Sequence, residues 1–298
     1  EKVMALLEQD ILSGNISHAY LFAGPDNIGK FSVAKTLAQI LECENNFCHT
    51  CPTCIQLKKG CHYDTVEIAD DGNSIKIESI REIIGKLNLS AQSRYKVLLM
   101  ENIERLTIEA ANCLLKTLEE PPPKTIFLLT TSNIKRVPVT LISRLRLFSF
   151  HLVPKILIFQ SLKEKYPDMP EETLKKVISF ALGKPGKAIR LIEDQMLLGW
   201  YERIYNELEQ FFQTTSYAKE FALIEEISKE DGKIDIFLDI FLHFTRNMLF
   251  RRLKSSPRHI ADLMNLLKET QRTKAMMQNN VNARLALENL LLRIPSHA

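Results

Sequence analysis

Short apolar runs alternate with helix-like segments along the first half of the chain. Each run is bounded by polar residues, Gly or Pro, which is the pattern of buried strands. The predicted strands are residues 20–23, 65–68, 96–100, 125–130 and 147–150. This alternation predicts an α/β fold in which helices cover both faces of a parallel sheet, with a ligand site at the carboxyl ends of the strands.

In the second half of the chain, the pattern of apolar and polar residues predicts helices only. In the first half, Ser79 and Glu82 form a capping-box pattern that predicts the start of a helix at Ser79. After Pro154 the pattern contains no convincing strand. The predicted helices there are residues 172–182, 187–193, 234–253, 259–277 and 282–292. We therefore expect three domains: residues 1–153, a small helical domain over 154–197 and a larger helical domain over 198–298.

Composition and charge exclude several classes of protein. Apolar residues make up 45% and charged residues 25% of the 298 residues, which excludes wholesale disorder and fibrous repeats. The net charge of +3 is too small to indicate a nucleic-acid-binding protein by itself. No apolar run reaches the roughly 18 residues of a membrane span, and the amino terminus lacks a signal-peptide pattern. We expect a cytoplasmic protein with no membrane partner.

A glycine loop follows the first predicted strand and opens a helix. Gly24, Gly29 and Lys30 match the phosphate-loop pattern G-x-x-x-x-G-K, in which backbone N–H groups, including that of Asn27, surround phosphates and the lysine neutralises them. The next position normally supplies a Ser or Thr hydroxyl to Mg²⁺, but it is Phe31 here. The loop predicts a phosphate site with degraded magnesium ligation.

A second defect lies after the strand at 96–100. In ATPases with such a phosphate loop, that strand ends in Asp-Glu, whose carboxylates orient Mg²⁺ and the attacking water. Glu101 and Asn102 occupy these positions. Glu101 still offers a carboxylate, whereas an amide such as Asn102 cannot act as a general base.

Four cysteines within twelve residues predict a metal site. Cys43, Cys48, Cys51 and Cys54 have a density that suits one tetrahedral Zn²⁺ bound by four thiolates. Such a site leaves no open coordination position, so we expect a structural zinc module over residues 43–61. If Cys43 is not a ligand, the substitutes are Cys61, His49 and His62.

Four sequence segments resemble one family. The segments HAYLF at 18–22, NCLLKTLEEPP at 112–122 and VPVTLISR at 137–144 resemble the AAA+ clamp-loader subunits of bacterial DNA polymerase III, and NVNARLALE at 280–288 resembles their carboxyl-terminal collar. The resemblance implies a P-loop AAA+ domain carrying the zinc module, then an all-α lid and an all-α collar. It also implies that Thr131 is a nucleotide contact and that ATP or ADP is a possible ligand.

Three departures favour the delta-prime type of subunit within that family over the ATP-hydrolysing gamma/tau type. They are Phe31, Asn102 and Gly186, the last occupying the place of the lid arginine of active subunits. The resemblance then implies a stator without its own ATPase activity. Its partners would be gamma/tau and delta subunits in a hetero-pentameric ring of the DNA polymerase III holoenzyme, which loads the sliding clamp onto primed DNA.

Arg144 is the residue to which the resemblance assigns a catalytic role. It lies in the position of the family's Ser-Arg-Cys motif, with Leu145 replacing Cys. There it would act in trans on the ATP of the neighbouring subunit. Two alternatives remain: an ATP-hydrolysing gamma/tau-type subunit, in which Ser32 or water replaces the missing hydroxyl, and a zinc-dependent nucleic-acid-binding module.

Overall fold

The computed structural model describes residues 2–45, 47–213, 217–230, 232–251, 257–277 and 281–294. The chain forms two compact units. The first comprises Glu1–Ile158 and Gly183–Lys187, and the second comprises Phe159–Leu182 and Ala188–Ala298. The division into three domains at 153 and 197 stays a prediction.

The first unit contains one five-stranded sheet in the order β2-β3-β4-β1-β5, and every pairing in it is parallel. The strands are β1 Ala19–Ala23, β2 Thr65–Ile68, β3 Lys96–Met100, β4 Thr125–Thr131 and β5 Arg146–Ser149. All five sequence-predicted strands are present within one residue at each end. The predicted parallel α/β fold is therefore confirmed.

Helices of the first unit connect the strands. They are α1 Lys2–Ser13, α2 Lys30–Glu42, α3 Pro52–Lys59, α4 Ile77–Leu87, α5 Ile108–Glu119 and α6 Val139–Ile142. The predicted start of α4 at Ser79 is wrong, because the helix begins at Ile77 and Lys76 precedes it without a side-chain cap. The backbone bridge between Ile75 and Leu106 fixes the chain just before this helix, so tertiary pairing sets its start.

The sheet carries a separate apolar core on each face. Leu98, Met100 and Phe127 pack on one face with side chains of α4 and α5. Val97 and Leu99 point to the opposite face, towards α1 and α2. Alternate residues of a central strand therefore serve both cores, which explains why β1, β3 and β4 are buried along their whole length. Full burial of each such side chain stabilises the fold by about 1.5–3 kcal/mol.

In the part of the second unit that the structure describes, every regular element is a helix. Helix α7, Lys155–Lys165, begins in the first unit, as does α9, Pro185–Glu193. The others are α8 Glu171–Ala181, α10 Gln195–Gln213, α11 Tyr217–Ser228, α12 Lys233–Arg251, α13 Pro257–Met276 and α14 Ala283–Leu291. The predicted end of α12 at 253 and residue 280 of the collar motif lie outside the described residues. Among the helices described, none is both long and apolar enough to cross a bilayer.

Candidate functional site

The glycine loop begins at the carboxyl end of the central strands. Gly24 follows β1, and its backbone N–H donates a hydrogen bond to the carbonyl of Thr131 at the end of β4 (3.1 Å). A Cβ on Gly24 would lie 2.5 Å from the carbonyl oxygen of Phe150. Only glycine fits this close approach, so packing alone requires this residue.

Lys30 opens α2 and turns back into the loop. Gly29 has a φ of 98°, which favours glycine, and Lys30 follows it as the first residue of the helix. The Lys30 Nζ donates hydrogen bonds to the carbonyls of Gly24 (2.7 Å) and Pro25 (2.9 Å), and the side chain is buried. The helix amino terminus and this ammonium group are two groups that could hold an anion. A bound phosphate would replace these carbonyls as the hydrogen-bond acceptor of the Lys30 ammonium.

Burial and nearby carboxylates have opposite effects on the pKa of Lys30. Burial lowers the pKa of the Lys30 ammonium, whereas the nearby carboxylates of Asp26, Glu104 and Glu101 raise it, and the net shift is downward. Glu101 follows β3, and Thr131 ends β4, the strand that lies between β3 and β1. The structure therefore brings Gly24, Lys30, Glu101 and Thr131 together at one edge of the sheet.

The position of the missing magnesium hydroxyl is filled by an apolar ring. Phe31 packs against the core shared with α1 and α2, and the Lys35 ammonium lies 4.9 Å from its ring centroid. Ser32, the only hydroxyl beside it in sequence, is exposed. A hydroxyl at position 31 would ligate Mg²⁺, and a phenyl ring has no donor atom for the ion.

Both residues after β3 are bound to the end of β2. A carboxylate oxygen of Glu101 accepts the backbone N–H of Asp70 at 3.2 Å, and the Asn102 amide donates to the Asp70 carboxylate at 2.6 Å. Arg105 pairs with the other oxygen of Asp70 at 2.8 Å. The Asn102 side chain is therefore a hydrogen-bond donor here and does not replace the missing general base.

Glu104 is a site residue that the sequence analysis missed. One of its oxygens accepts backbone N–H groups of Ser132 (2.8 Å) and Asn133 (3.2 Å), which follow β4. Burial raises the pKa of Glu104, but hydrogen bonds from Ser132 and Thr131 outweigh burial and lower it. Thr131 is fully buried, and its hydroxyl accepts the Asn133 N–H at 3.2 Å. Glu104 thus fixes the turn that carries Thr131.

The segment around Gly186 lies directly on the glycine loop. The Gly186 N–H donates to the carbonyl of Asn27 at 2.9 Å, and Asn27 has a φ of 59°. A Cβ at position 186 would lie 2.9 Å from that same carbonyl oxygen. Position 186 therefore packs backbone against backbone on the glycine loop.

Arg144 lies in another group of contacts. Its Nη2 pairs with a carboxylate oxygen of Glu119 at the end of α5, and its Nη1 donates to the Thr140 carbonyl (2.8 Å) and the Ser143 hydroxyl (3.3 Å). The Arg144 side chain keeps 36% of its surface exposed. Sequence analysis missed Glu119 as a partner, although it belongs to the quoted LLKTLEEPP segment.

The four cysteines form one cluster, as predicted. All four Sγ atoms lie within 4.8 Å of one another. Cys43 Sγ is 3.8 Å from Cys48 Sγ and 3.9 Å from Cys51 Sγ. Four thiolates at about 2.3 Å from a tetrahedral Zn²⁺ are about 3.8 Å apart, so the cluster fits this ion. Cys43 is therefore placed with the other three despite its short spacing.

The backbone supports the same arrangement of thiols. The N–H groups of Cys48, Cys51 and Cys54 point to the Sγ atoms of Cys43, Cys48 and Cys51 at 3.5, 3.3 and 3.4 Å. Such bonds stabilise thiolates, the form that binds a metal. The substitute ligands make other contacts: the Cys61 thiol with the Gln56 carbonyl, the His62 ring with the Thr65 hydroxyl, and the His49 ring with Phe47.

The chain is similar to subunits of bacterial DNA polymerase III. The family model described as "DNA polymerase III, delta subunit" matches residues 1–154. The DNA polymerase III subunit gamma of Buchnera aphidicola (Acyrthosiphon pisum) is 32% identical over 245 residues, covering 79% of this chain and 68% of that protein. The subunit tau of Escherichia coli is 38% identical over 157 residues, which are 51% of this chain and 24% of tau.

A solved structure supports the fold. The gamma subunit-related protein of Thermotoga maritima matches with a TM-score of 0.58 and 19% identity, covering 100% of both chains. This chain spans about two thirds of the gamma relative and about a quarter of tau. The relatives' names support the gamma/tau alternative better than the delta-prime assignment, which the comparisons do not distinguish. By its family model and its gamma relative together, the chain belongs to the DNA polymerase III delta-subunit family of clamp-loader proteins.

Proposed function

We propose that the chain is a clamp-loader subunit that retains a phosphate-binding loop, does not hydrolyse ATP itself and supplies Arg144 to the ATP of a neighbouring subunit. The observation that carries the proposal is the combination of an ordered glycine loop with Phe31 and Asn102. Both replacements remove magnesium or water chemistry and leave the phosphate contacts in place. The gamma and tau names of the relatives support the clamp-loader assignment.

The loop can bind a nucleotide without turning it over. Lys30 and the amino terminus of α2 would hold the phosphates, with Asn27 and Gly29 lending backbone N–H groups. Of the two positions that follow β3, Glu101 is the one that carries a carboxylate for a metal-water shell. ATP hydrolysis also requires a group that orients the attacking water. Asn102 donates its amide to Asp70, which supports binding of ATP or ADP without hydrolysis.

Arg144 would act on a phosphate bound by another subunit. A guanidinium that enters a neighbour's site stabilises charge on the transferred phosphoryl group and raises such rates by about 10³–10⁵-fold. Its exposed position at the end of α6 supports this role. The partners we propose are gamma/tau and delta subunits in a hetero-pentameric ring, with the sliding clamp and primed DNA as substrates of the whole assembly.

The test is an Arg144→Ala variant in the assembly reconstituted with the partner subunits of the same source. We expect its clamp- and DNA-stimulated ATPase rate to fall at least tenfold, with assembly intact by size-exclusion chromatography. Arg81→Ala, which removes another exposed arginine from the same unit, is the matched control and should keep the rate. An unchanged rate in Arg144→Ala contradicts the proposal.

A gamma/tau-type ATPase is the second candidate, and the names of the relatives favour it. It requires a magnesium ligand other than Phe31, and Ser32 faces solvent in the structure. Hydrolysis by the isolated chain separates the two candidates. The zinc-dependent nucleic-acid-binding module has less support, and salt-dependent DNA binding by the isolated chain would revive it.

We also propose a structural zinc ion in the module over residues 43–61 and a three-domain order of AAA+ domain, lid and collar. The four thiol groups leave no coordination position for a substrate if all of them bind one ion. The zinc would therefore fix the segment between α2 and α3 and take no part in ATP chemistry. Metal analysis of the purified chain tests this proposal, with one zinc per chain as the expected result.

A further inference from the structure

We infer that Glu119 holds Arg144 back from the neighbouring subunit's nucleotide within the assembly, until a phosphate of that nucleotide replaces the carboxylate. The inference rests on the proposed trans role of Arg144 and assigns its regulation to a residue of this chain. Glu119 would be a positioning residue, because it acts through Arg144 and does not touch the nucleotide.

The contacts of the guanidinium carry the argument. Its Nη1 donates to the Thr140 carbonyl and the Ser143 hydroxyl, and its Nη2 pairs with Glu119. Both terminal nitrogens are therefore engaged within this chain. A phosphate is best bound through two parallel N–H groups. While Thr140 and Ser143 hold Nη1, a phosphate would bind through Nε and Nη2, and Glu119 occupies Nη2 and therefore competes for this side of the guanidinium.

The strength of this contact suits a reversible switch. Glu119 and Arg144 expose 48% and 36% of their side chains. An exposed ion pair of this kind changes an equilibrium by about fivefold at most. The anchors at Thr140 and Ser143 belong to the same short stretch of chain as Arg144, so they can keep the arginine at the surface after Glu119 has let go. A doubly charged phosphate then outcompetes a single carboxylate.

The experiment measures the ATPase rate of the reconstituted assembly without clamp and DNA. Glu119→Gln keeps the shape of the side chain and removes its charge, so we expect the unstimulated rate to rise about two- to fivefold. The Glu119→Asp assembly should have a rate near that of the unsubstituted assembly, because aspartate keeps the carboxylate. Glu171→Gln, which breaks the similarly exposed pair with Lys163, is the matched control and should change nothing.

Two further readouts separate regulation from a merely structural role. The gain in Glu119→Gln should vanish in the Arg144→Ala background and shrink as salt screens the pair in the unsubstituted assembly. A lower rate in Glu119→Gln, an unchanged rate, or a gain that persists without Arg144 overturns the inference. If Arg144→Ala itself leaves the stimulated rate unchanged, the proposed function has failed instead, so the two failures are distinguishable.

Discussion

Replacing Gly186 with alanine perturbs the glycine loop at a single atom. The new Cβ would lie 2.9 Å from the carbonyl oxygen of Asn27 and 3.3 Å from its carbonyl carbon. These are backbone atoms, so no flexible side chain can move aside. The Gly186 N–H also donates to that oxygen at 2.9 Å, so moving the loop away weakens a hydrogen bond.

The expected magnitude follows from two opposing effects. Inserting a methyl group into a packed site costs about 1–3 kcal/mol. Replacing glycine with alanine inside a helix stabilises it by about 0.5–1 kcal/mol. Gly186 lies in the first turn of α9, so the net result is a loss of about 1 kcal/mol in the free energy of unfolding of the first unit. The loop that carries Asn27 should also bind nucleotide less tightly.

Gly85 provides the matched control in the same unit. It lies in α4, and a Cβ there would meet nothing within 4 Å. Gly85→Ala should therefore stabilise the first unit by about 0.5–1 kcal/mol. Urea denaturation followed by circular dichroism measures both variants. If Gly186→Ala stabilises the chain as much as Gly85→Ala does, the reasoning about close backbone packing is refuted.

Three further predictions concern metal, pH and nucleotide. Cys51→Ser should lose the bound zinc and lower the unfolding midpoint, whereas Cys61→Ser should keep one zinc per chain by metal analysis; equal retention contradicts the four-cysteine site. Hydrogen bonds lower the pKa of Glu104 below its usual 4.5, so the stability that this carboxylate provides is present above about pH 4.5 and lost as the pH falls further. Glu104→Gln should thus cost about 1–3 kcal/mol near neutral pH and less in acid, as urea denaturation at the two pH values would show; an equal cost argues against it. Lys30→Ala should weaken ATP or ADP binding at least tenfold in calorimetry, and unchanged affinity excludes the loop as the phosphate site.

The local sequence pattern was sufficient to predict the strands and the cysteine cluster. The central strands β1, β3 and β4 are buried along their whole length because both faces of the sheet are covered there, and this signal is independent of strand order. The four cysteines lie close in sequence, so short connections alone bring them together. The glycine loop is equally local, since one strand, one turn and one helix contain it.

Contacts between distant segments could not be predicted in the same way. Asn102 binds Asp70, and Glu104 binds Ser132, because β3 lies between β2 and β4 in the sheet. Hydropathy does not specify that order. The start of α4 at Ile77 also depended on a bridge to Leu106, so the local capping pattern at Ser79 misplaced it.

ATP hydrolysis by the purified chain alone, with Mg²⁺ and primed DNA present, tests the central claim most directly. The account predicts that the chain binds nucleotide through the Lys30 loop and shows no turnover above the background of a Lys30→Ala variant. Turnover that Lys30→Ala abolishes would contradict the account and make this chain a hydrolysing subunit of the gamma/tau type.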